Sequence, residues 1–410
     1  MEETNDQDNS NLTNATNSHF VTSEQLNENT NAQKVEPIVY HNLNDLQIEN
    51  IDLSVEKILP HNYIKFLSYN ISLGSPIGQN HNLYNDIRGT TFAKDLSKFD
   101  LVCLQEISST FSDQQLNIIQ EACKQSFFFS VSSQSPCALS SFTAENGLLI
   151  LSRFPIEKYA FFPYNDTIYN DSLIQKGFLY AKIRIKQSSL HIINVSLQSN
   201  EYCNKKEDIN QVFTNTSQIR KNQLKEIFDF IREGIFNNTK VFQKGDQVIL
   251  CGNLNIDKNG YKFLNNQNIK KELTKEYEEI MDIDPNIVLY DSFENDNRAT
   301  YGELDDDSQK YDTTLTFEPF QKSKMILDYI FEVEQRTEMK RKINHINFRI
   351  KKNSHNIEKF LISYPPLVQI SDHYGLSLEI EYIESGPLID EEKQEISPEE
   401  VPDELKKIIN

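Results

Sequence analysis

Carboxylates, amides and a histidine close a series of short apolar runs in this chain. FLSYN ends at Asn70, LVCLQE ends at Glu106, VILCGNLN carries Asn253 and Asn255, MILDYIF encloses Asp328, and ISDHYGL presents Asp372 and His373. An amide and a carboxylate at neighbouring strand ends make a hard oxygen site suited to Mg²⁺, which takes one or two carboxylates and leaves its remaining positions to water and phosphate. Asn70 and Glu106 are that pair. Asp328 is an acid between Leu327 and Tyr329 in an otherwise apolar strand, so once buried it needs a partner. His373 is the obvious one, and a histidine held by a carboxylate can act as general acid or base, or steady a phosphate in flight.

The elements that must position these groups are read from the same runs. Each is short and continuously apolar, the pattern of a strand buried on both faces. Two further runs, NGLLILSRFPI and LHIINVSLQ, belong to the set. Between them lie amphipathic helical patterns at Thr91–Lys98, Ser112–Lys124 and Ser217–Glu233, and a weaker one at Tyr261–Leu273. Strands and helices alternate only in places, interspersed with hairpin-like strands such as Leu148–Ser152 and Gly177–Ile185. That mixture predicts a four-layer α/β sandwich: two mixed β-sheets packed face to face, with helices outside. The polar insertions 200–216 and 291–310 are expected to be loops. The motifs span 63–382 without a clean linker, which predicts one domain with insertions. Residues 1–36, rich in Asn, Thr and Ser, are expected to form a disordered tail, and 385–410 an acidic one.

Composition narrows the function classes. The net charge of −20 over 410 residues repels polyanions at a distance, so nucleic acid is not the expected partner. The five cysteines are odd in number and lack paired spacing, which points to a reducing compartment. The N-terminus has no apolar signal region and no stretch approaches the ~18 apolar residues of a membrane span. The expectation is a cytoplasmic protein that meets membranes, if at all, peripherally.

The order of motifs resembles the endonuclease/exonuclease/phosphatase superfamily, the metal-dependent phosphodiesterases of DNase I-like fold, and within it the neutral sphingomyelinases. The residues that carry the likeness are LVCLQE, the block Gly147, Ser152, Arg153 and Pro155, Asp171 with Lys176-Gly177, Ile219-Arg220 with Gln223-Leu224, Cys251-Gly252 with Asn255, and Ser371 to Gly375. The resemblance implies Glu106 as principal Mg²⁺ ligand with Asn70 beside it. Asn255 would hold the scissile phosphate or the attacking water, His373 would be the catalytic histidine, and Asp372 and Asp328 would orient it or bind metal-associated water. The implied reaction is hydrolysis of sphingomyelin, or a related phospholipid at a membrane surface, to ceramide and phosphocholine.

Two positions depart from the family. Its G-D-[FL]-N pattern here reads Gly252-Asn253-Leu254-Asn255, replacing a carboxylate that deprotonates water with an amide that cannot take a proton. The strand that normally ends T-H-L reads Val195-Ser196-Leu197, so a phosphate-binding histidine is also missing. Strand alternation turns His191 and Asp246 to the opposite face, leaving Asp257 as the best local substitute. Three readings stay open: a phosphodiesterase with impaired chemistry, a catalytically silent relative that binds a lipid headgroup or a protein, and a nuclease or inositol-phosphate phosphatase of the same fold.

Overall fold

The computed structural model describes residues 63–383 apart from 74–83, 109–112, 126, 134–141, 143, 201–207, 261–266, 303–314, 316–323 and 337–346. The tails expected at 1–36 and 385–410 lie outside the described residues.

The apolar runs become two mixed sheets. One is ordered Phe348–Ile350, Gly375–Tyr382, Tyr63–Leu73, Leu101–Ile107, Leu149–Ser152, Phe129–Ser132, with Asn356–Glu358 also paired to Gly375–Tyr382. The other is ordered Ile287–Asp291, Asp328–Gln335, Gln247–Asn253, Ser188–Ser196, Gly177–Ile185, Ile156–Pro163. Three apolar layers result. Phe66, Cys103, Ile192, Cys251 and Ile330 meet between the sheets. Tyr69, Val102 and Leu104 pack outward on Phe92 and Ile118 of the helices Asn85–Ala93 and Gln114–Lys124. Ile193, Val195 and Leu250 pack outward on Leu224, Ile227 and Phe228 of the helix Ile209–Asp229. Strands with both faces covered need no polar alternation, which is why the runs are continuous. The four-layer α/β sandwich expected from the sequence is the architecture observed.

Topology, more than any single strand, creates a site. The parallel pair Tyr63–Leu73 and Leu101–Ile107 ends on one rim, and so does the parallel pair Ser188–Ser196 and Gln247–Asn253. The antiparallel partners Asp328–Gln335 and Gly375–Tyr382 begin there. Carboxyl ends of parallel strands are where α/β sheets bind ligands. Here they bring Asn70, Glu106, Ser196, Asn253, Asp328 and His373 to one edge of the sandwich.

Some local expectations are corrected. The helix of the third layer starts at Ile209, eight residues earlier than expected, because Val212 and Phe213 are buried and Asp208 caps the first turn by accepting from Asn210 N (3.0 Å). It runs on as a π-helix over Phe230–Phe236. The first helix spans Asn85–Ala93, with a separate 3₁₀ turn at Leu96–Lys98. The strands Leu149–Ser152 and Gly177–Ile185 lie in different sheets and are not a hairpin. Among the described residues no helix is long and apolar enough to cross a membrane.

Candidate active site

Asn70 Nδ2 donates to Glu106 Oε1 (2.8 Å), so the pair meets across the parallel strands that carry it. The strand register opposes Asn70 to Gln105 and then slips. At that slip Glu106 takes a left-handed backbone conformation (φ 58°), which re-aims its carboxylate off the ladder. Ser72, also left-handed (φ 50°), donates its backbone N–H to Asn70 Oδ1 (3.1 Å) and holds the amide plane.

His373 closes the other side. Its Nδ1 is 2.8 Å from Asp328 Oδ2, and its Nε2 lies 3.4 Å from Asn70 Nδ2. In the neutral ring this fixes the tautomer with Nδ1–H donated to Asp328 and Nε2 turned toward the Asn70–Glu106 pair. Burial alone would push the imidazolium down. The Asp328 carboxylate, by charge and hydrogen bond, and then Asp372 and Glu106, outweigh that and raise His373 to about 9. Thr300 Oγ1 donates to Asp328 Oδ2 (2.7 Å) and accepts the N–H groups of Leu327 (2.9 Å) and Asp328 (3.1 Å). Ser371 Oγ donates to Asn70 O (2.8 Å) and accepts from His373 N (3.1 Å), pinning the two arms together; Asp372, buried beside it, places Oδ1 3.3 Å from the same hydroxyl.

The second sheet supplies a row. Register places Ser196 and Asp328 on either side of Asn253 on adjacent strands. Asn253 Oδ1 accepts the backbone N–H of Asn255 (2.9 Å), whose left-handed backbone (φ 55°) turns the chain at the rim. Asn255 Nδ2 donates to Leu197 O (3.0 Å), a carbonyl that also receives Lys176 Nζ (2.8 Å). Lys176 is in turn paired to Asp171 (2.9 Å), so the family-like Asp171/Lys176 block lies directly behind Asn255. Two buried atoms of the row, Ser196 Oγ and Asp328 Oδ1, have no hydrogen-bond partner among the described residues. Such atoms are few in folded proteins and cost about 1–3 kcal/mol each unless water or a ligand oxygen satisfies them.

The candidate substitutes go elsewhere. His191 lies on the helix-facing side of its strand, with Nε2 3.1 Å from Asp246 Oδ2 and Nδ1 2.9 Å from Tyr180 OH. Asp257 Oδ1 accepts the N–H groups of Ile326 (3.1 Å) and Asn259 (3.2 Å), which ties that oxygen to its own loop and to the segment before Asp328. Direct hydrogen bonds therefore join Asn70, Glu106, Asp328 and His373. Asn253 and Asn255 are joined to each other, and strand register sets Asn253 opposite Asp328.

Sequence reasoning missed two supports and quoted a third, Arg220, without its role. Gln105 Nε2 donates to Asn194 Oδ1 (2.8 Å) and Asn194 Nδ2 to Leu104 O (2.9 Å), an amide bridge between the sheets one residue behind Glu106. Polar residues inside LVCLQ and IINVS were the available signal. The segment Thr300–Gly302, read as loop, lies along the histidine: Tyr301 bridges His373 backbone to backbone, its ring stands edge-on at 4.8 Å, and Gly302 N donates to Asp372 O (3.0 Å). Arg220, fully buried, is held by Glu276 through Nε and Nη2 (2.8 and 3.0 Å) and donates to Asn200 Oδ1 (2.8 Å).

With this geometry in view, the fold and the rim define a member of the Endonuclease/Exonuclease/phosphatase family, to which the chain belongs by a match over residues 67–373. Among its relatives is a sphingomyelinase of Dictyostelium discoideum, 27% identical over 355 residues that cover 72% of this chain and 75% of the relative. A sphingomyelinase C of Bacillus cereus is 31% identical over 120 residues, 29% of this chain and 32% of that protein. The crystal structure of SmcL superposes with a TM-score of 0.51 at 19% identity, covering 78% of this chain and 99% of the other, and shares the fold.

Proposed function

We propose that this chain is a Mg²⁺-dependent phosphodiesterase of low turnover that hydrolyses sphingomyelin, or a closely related choline sphingolipid, at a membrane surface to ceramide and phosphocholine. The observation that carries the reading is the meeting of two hydrogen-bonded pairs, Asn70–Glu106 and His373–Asp328, with His373 Nε2 3.4 Å from Asn70 Nδ2. Among the described residues no three His, Cys, Asp or Glu side chains gather into a closed cage. Mg²⁺ requires none, since one or two carboxylates with water and substrate phosphate complete its shell. Glu106 and Asn70 fit that role, and the bound ion would supply polarisation of the phosphate and relief of negative charge on the leaving oxygen.

The chain's own groups do the rest. His373, its Nδ1–H fixed on Asp328, presents Nε2–H to the phosphate or to the departing ceramide oxygen. Being charged at neutral pH, it can give that proton to the leaving oxygen as the P–O bond breaks, while a water oxygen bonds to phosphorus and loses its own proton to solvent. Asn253 and Ser196 can orient that water by hydrogen bonds but cannot take its proton. Slow turnover follows from that missing step. The lipid class is supported by the hairpin Leu361–Tyr364 and Leu367–Gln369, which leads straight into Ser371 and exposes Leu361, Tyr364, Pro365 and Pro366. An apolar rim beside a polar site suits an aggregated substrate, while the −20 charge disfavours a polyanion.

The test is phosphocholine release from sphingomyelin vesicles with and without Mg²⁺, for wild type, His373→Ala and Asn253→Asp. Mg²⁺-dependent release by wild type that disappears in His373→Ala supports the proposal. A silent, headgroup-binding relative is the second reading, favoured by Asn253 and the unpartnered Ser196 hydroxyl. It predicts Mg²⁺ binding without release by wild type.

A further inference from the structure

Arg88 stands apart from the groups already assigned a role. It lies in the helix Asn85–Ala93, fully buried, on a different element from every residue of the site. Among the described residues its guanidinium reaches three backbone carbonyls: Nε donates to Ile370 O (2.5 Å), and one terminal nitrogen donates to Ile71 O (3.0 Å) and Ser72 O (2.5 Å). The other terminal nitrogen donates to Asn85 Oδ1 (3.3 Å), one turn back on the same helix, which holds the fork in place.

The carbonyls matter because of what they adjoin. Ile71 and Ser72 follow Asn70 directly, and Ile370 precedes Ser371-Asp372-His373. The left-handed turn at Ser72 breaks the regular ladder where the strand passes Asn70. Carbonyl oxygens converging in a buried space repel one another unless a donor sits among them, and each left unpaired carries its full desolvation cost. A planar guanidinium with fixed donor directions sets the spacing of the groups it bonds; a lysine ammonium, a single flexible point charge, sets it poorly. The helix thus clamps the Asn70 strand end to the His373 segment, and the side chains those ends carry approach to 3.4 Å.

We propose that Arg88 is a positioning residue that fixes the gap between the cation-binding arm (Asn70 and Glu106) and the imidazole arm (His373 and Asp328). The proposal rests on the phosphodiesterase reading for the names of the arms, while the clamp itself is read from the contacts alone.

The experiment compares the full chain with Arg88→Lys and Arg88→Met, and with Arg153→Met as a control. Arg153 also ties backbone carbonyls, those of Phe99 and Gln125, but at the far rim where Leu101 opposes Ser152. Three quantities are read: Mn²⁺ affinity by electron paramagnetic resonance, the His373 imidazole nitrogen resonances, and the melting temperature. A positioning role predicts Mn²⁺ binding weakened about tenfold or more and shifted His373 resonances in Arg88→Met. Arg88→Lys should lie between it and wild type, and Arg153→Met should lose melting temperature with neither site reading changed. If Arg88→Met does not fold, Arg88→Lys decides by the same readings. Lowered melting temperature with Mn²⁺ affinity and His373 resonances within twofold of, and superimposable on, wild type would overturn the proposal. Wild type that binds no Mn²⁺ would instead overturn the metal-dependent reading, and the His373 resonances would then decide on Arg88 alone.

Discussion

Restoring a carboxylate at position 253 is the sharpest perturbation this site offers. Asn253 is almost fully buried and its Oδ1 accepts the Asn255 N–H (2.9 Å), a bond an aspartate keeps and strengthens by its charge. Its second oxygen would replace the amide nitrogen between Ser196 and Asp328. Cross-strand partners hold their side chains about 5 Å apart, so the new carboxylate would face that of Asp328 at roughly that distance. At an effective dielectric constant of about 20 the repulsion is about 3 kcal/mol, which would raise the new carboxyl above the ordinary carboxylate range. Charged His373 beside Asp328 offsets part of this. The group is thus expected to ionise as pH rises and to take up its proton more readily than an exposed carboxylate as pH falls. A general base contributes ~10²–10⁴ in rate. Asn253→Asp is therefore expected to release phosphocholine at least a hundredfold faster than wild type at pH 7.5 and saturating Mg²⁺, with the gain shrinking as pH falls. The assay is initial rate from sphingomyelin vesicles across pH 5–9. A folded, Mg²⁺-binding Asn253→Asp that gains nothing, alone or combined with Ser196→His, would refute the assignment of the missing base to this position.

Other consequences follow from the same contacts. His373 is raised to about 9, above its unfolded value near 6.5, so in the metal-free chain its stabilising contribution is complete below pH 6.5 and is lost as pH climbs through 9. The size is on the order of 3 kcal/mol, and urea denaturation at pH 6 and pH 9.5 should show a loss that Asp328→Asn largely removes. Gln105→Ala leaves Asn194 Oδ1 without its cross-sheet donor and should cost about 1–3 kcal/mol in the same denaturation assay, with Mg²⁺ affinity reduced because Glu106 is the next residue. Leu361→Asp with Tyr364→Asp should reduce release from vesicles at least tenfold and leave release from detergent-dispersed monomeric substrate within twofold; equal losses on both substrates would count against a membrane-facing hairpin.

The layers of the sandwich were legible in the sequence because burial on both faces writes itself as uninterrupted apolar runs, and the polar residues that end those runs had nowhere inexpensive to go. Parity was equally readable: His191 and Ser196 are an odd number apart, and the structure turns His191 toward Tyr180 and Asp246, away from Ser196. Other features were hidden for definite reasons. The helix start at Ile209 was obscured by Asn210, Thr214 and Asn215, which face outward around the buried Val212 and Phe213. The segment Thr300–Gly302 carries no apolar periodicity, since it is held by Tyr301 on His373 and by backbone bonds to Asp372 and Tyr374. The clamp at Arg88 bonds carbonyls, which every residue possesses, so no side-chain pattern marks its targets.

Strand order adds what motif order could not. The two departures, Asn253 and Ser196, are register neighbours in one sheet, and Asn253 stands between Ser196 and Asp328, whose Oδ1 has no hydrogen-bond partner among the described residues. The cation pair Asn70 and Glu106 belongs wholly to the other sheet, tied across by His373 and by the Gln105–Asn194 bridge. The altered chemistry is therefore confined to one half of the sandwich. On the proposed reading, binding of the cation and activation of water should be separable: the first would depend on the Asn70–Glu106 rim, the second on a row that carries Asn253 and Ser196 where the family pattern has a carboxylate and an imidazole. Substitutions in the row should move rate without moving metal affinity, and those around Ser72 and Arg88 should move both.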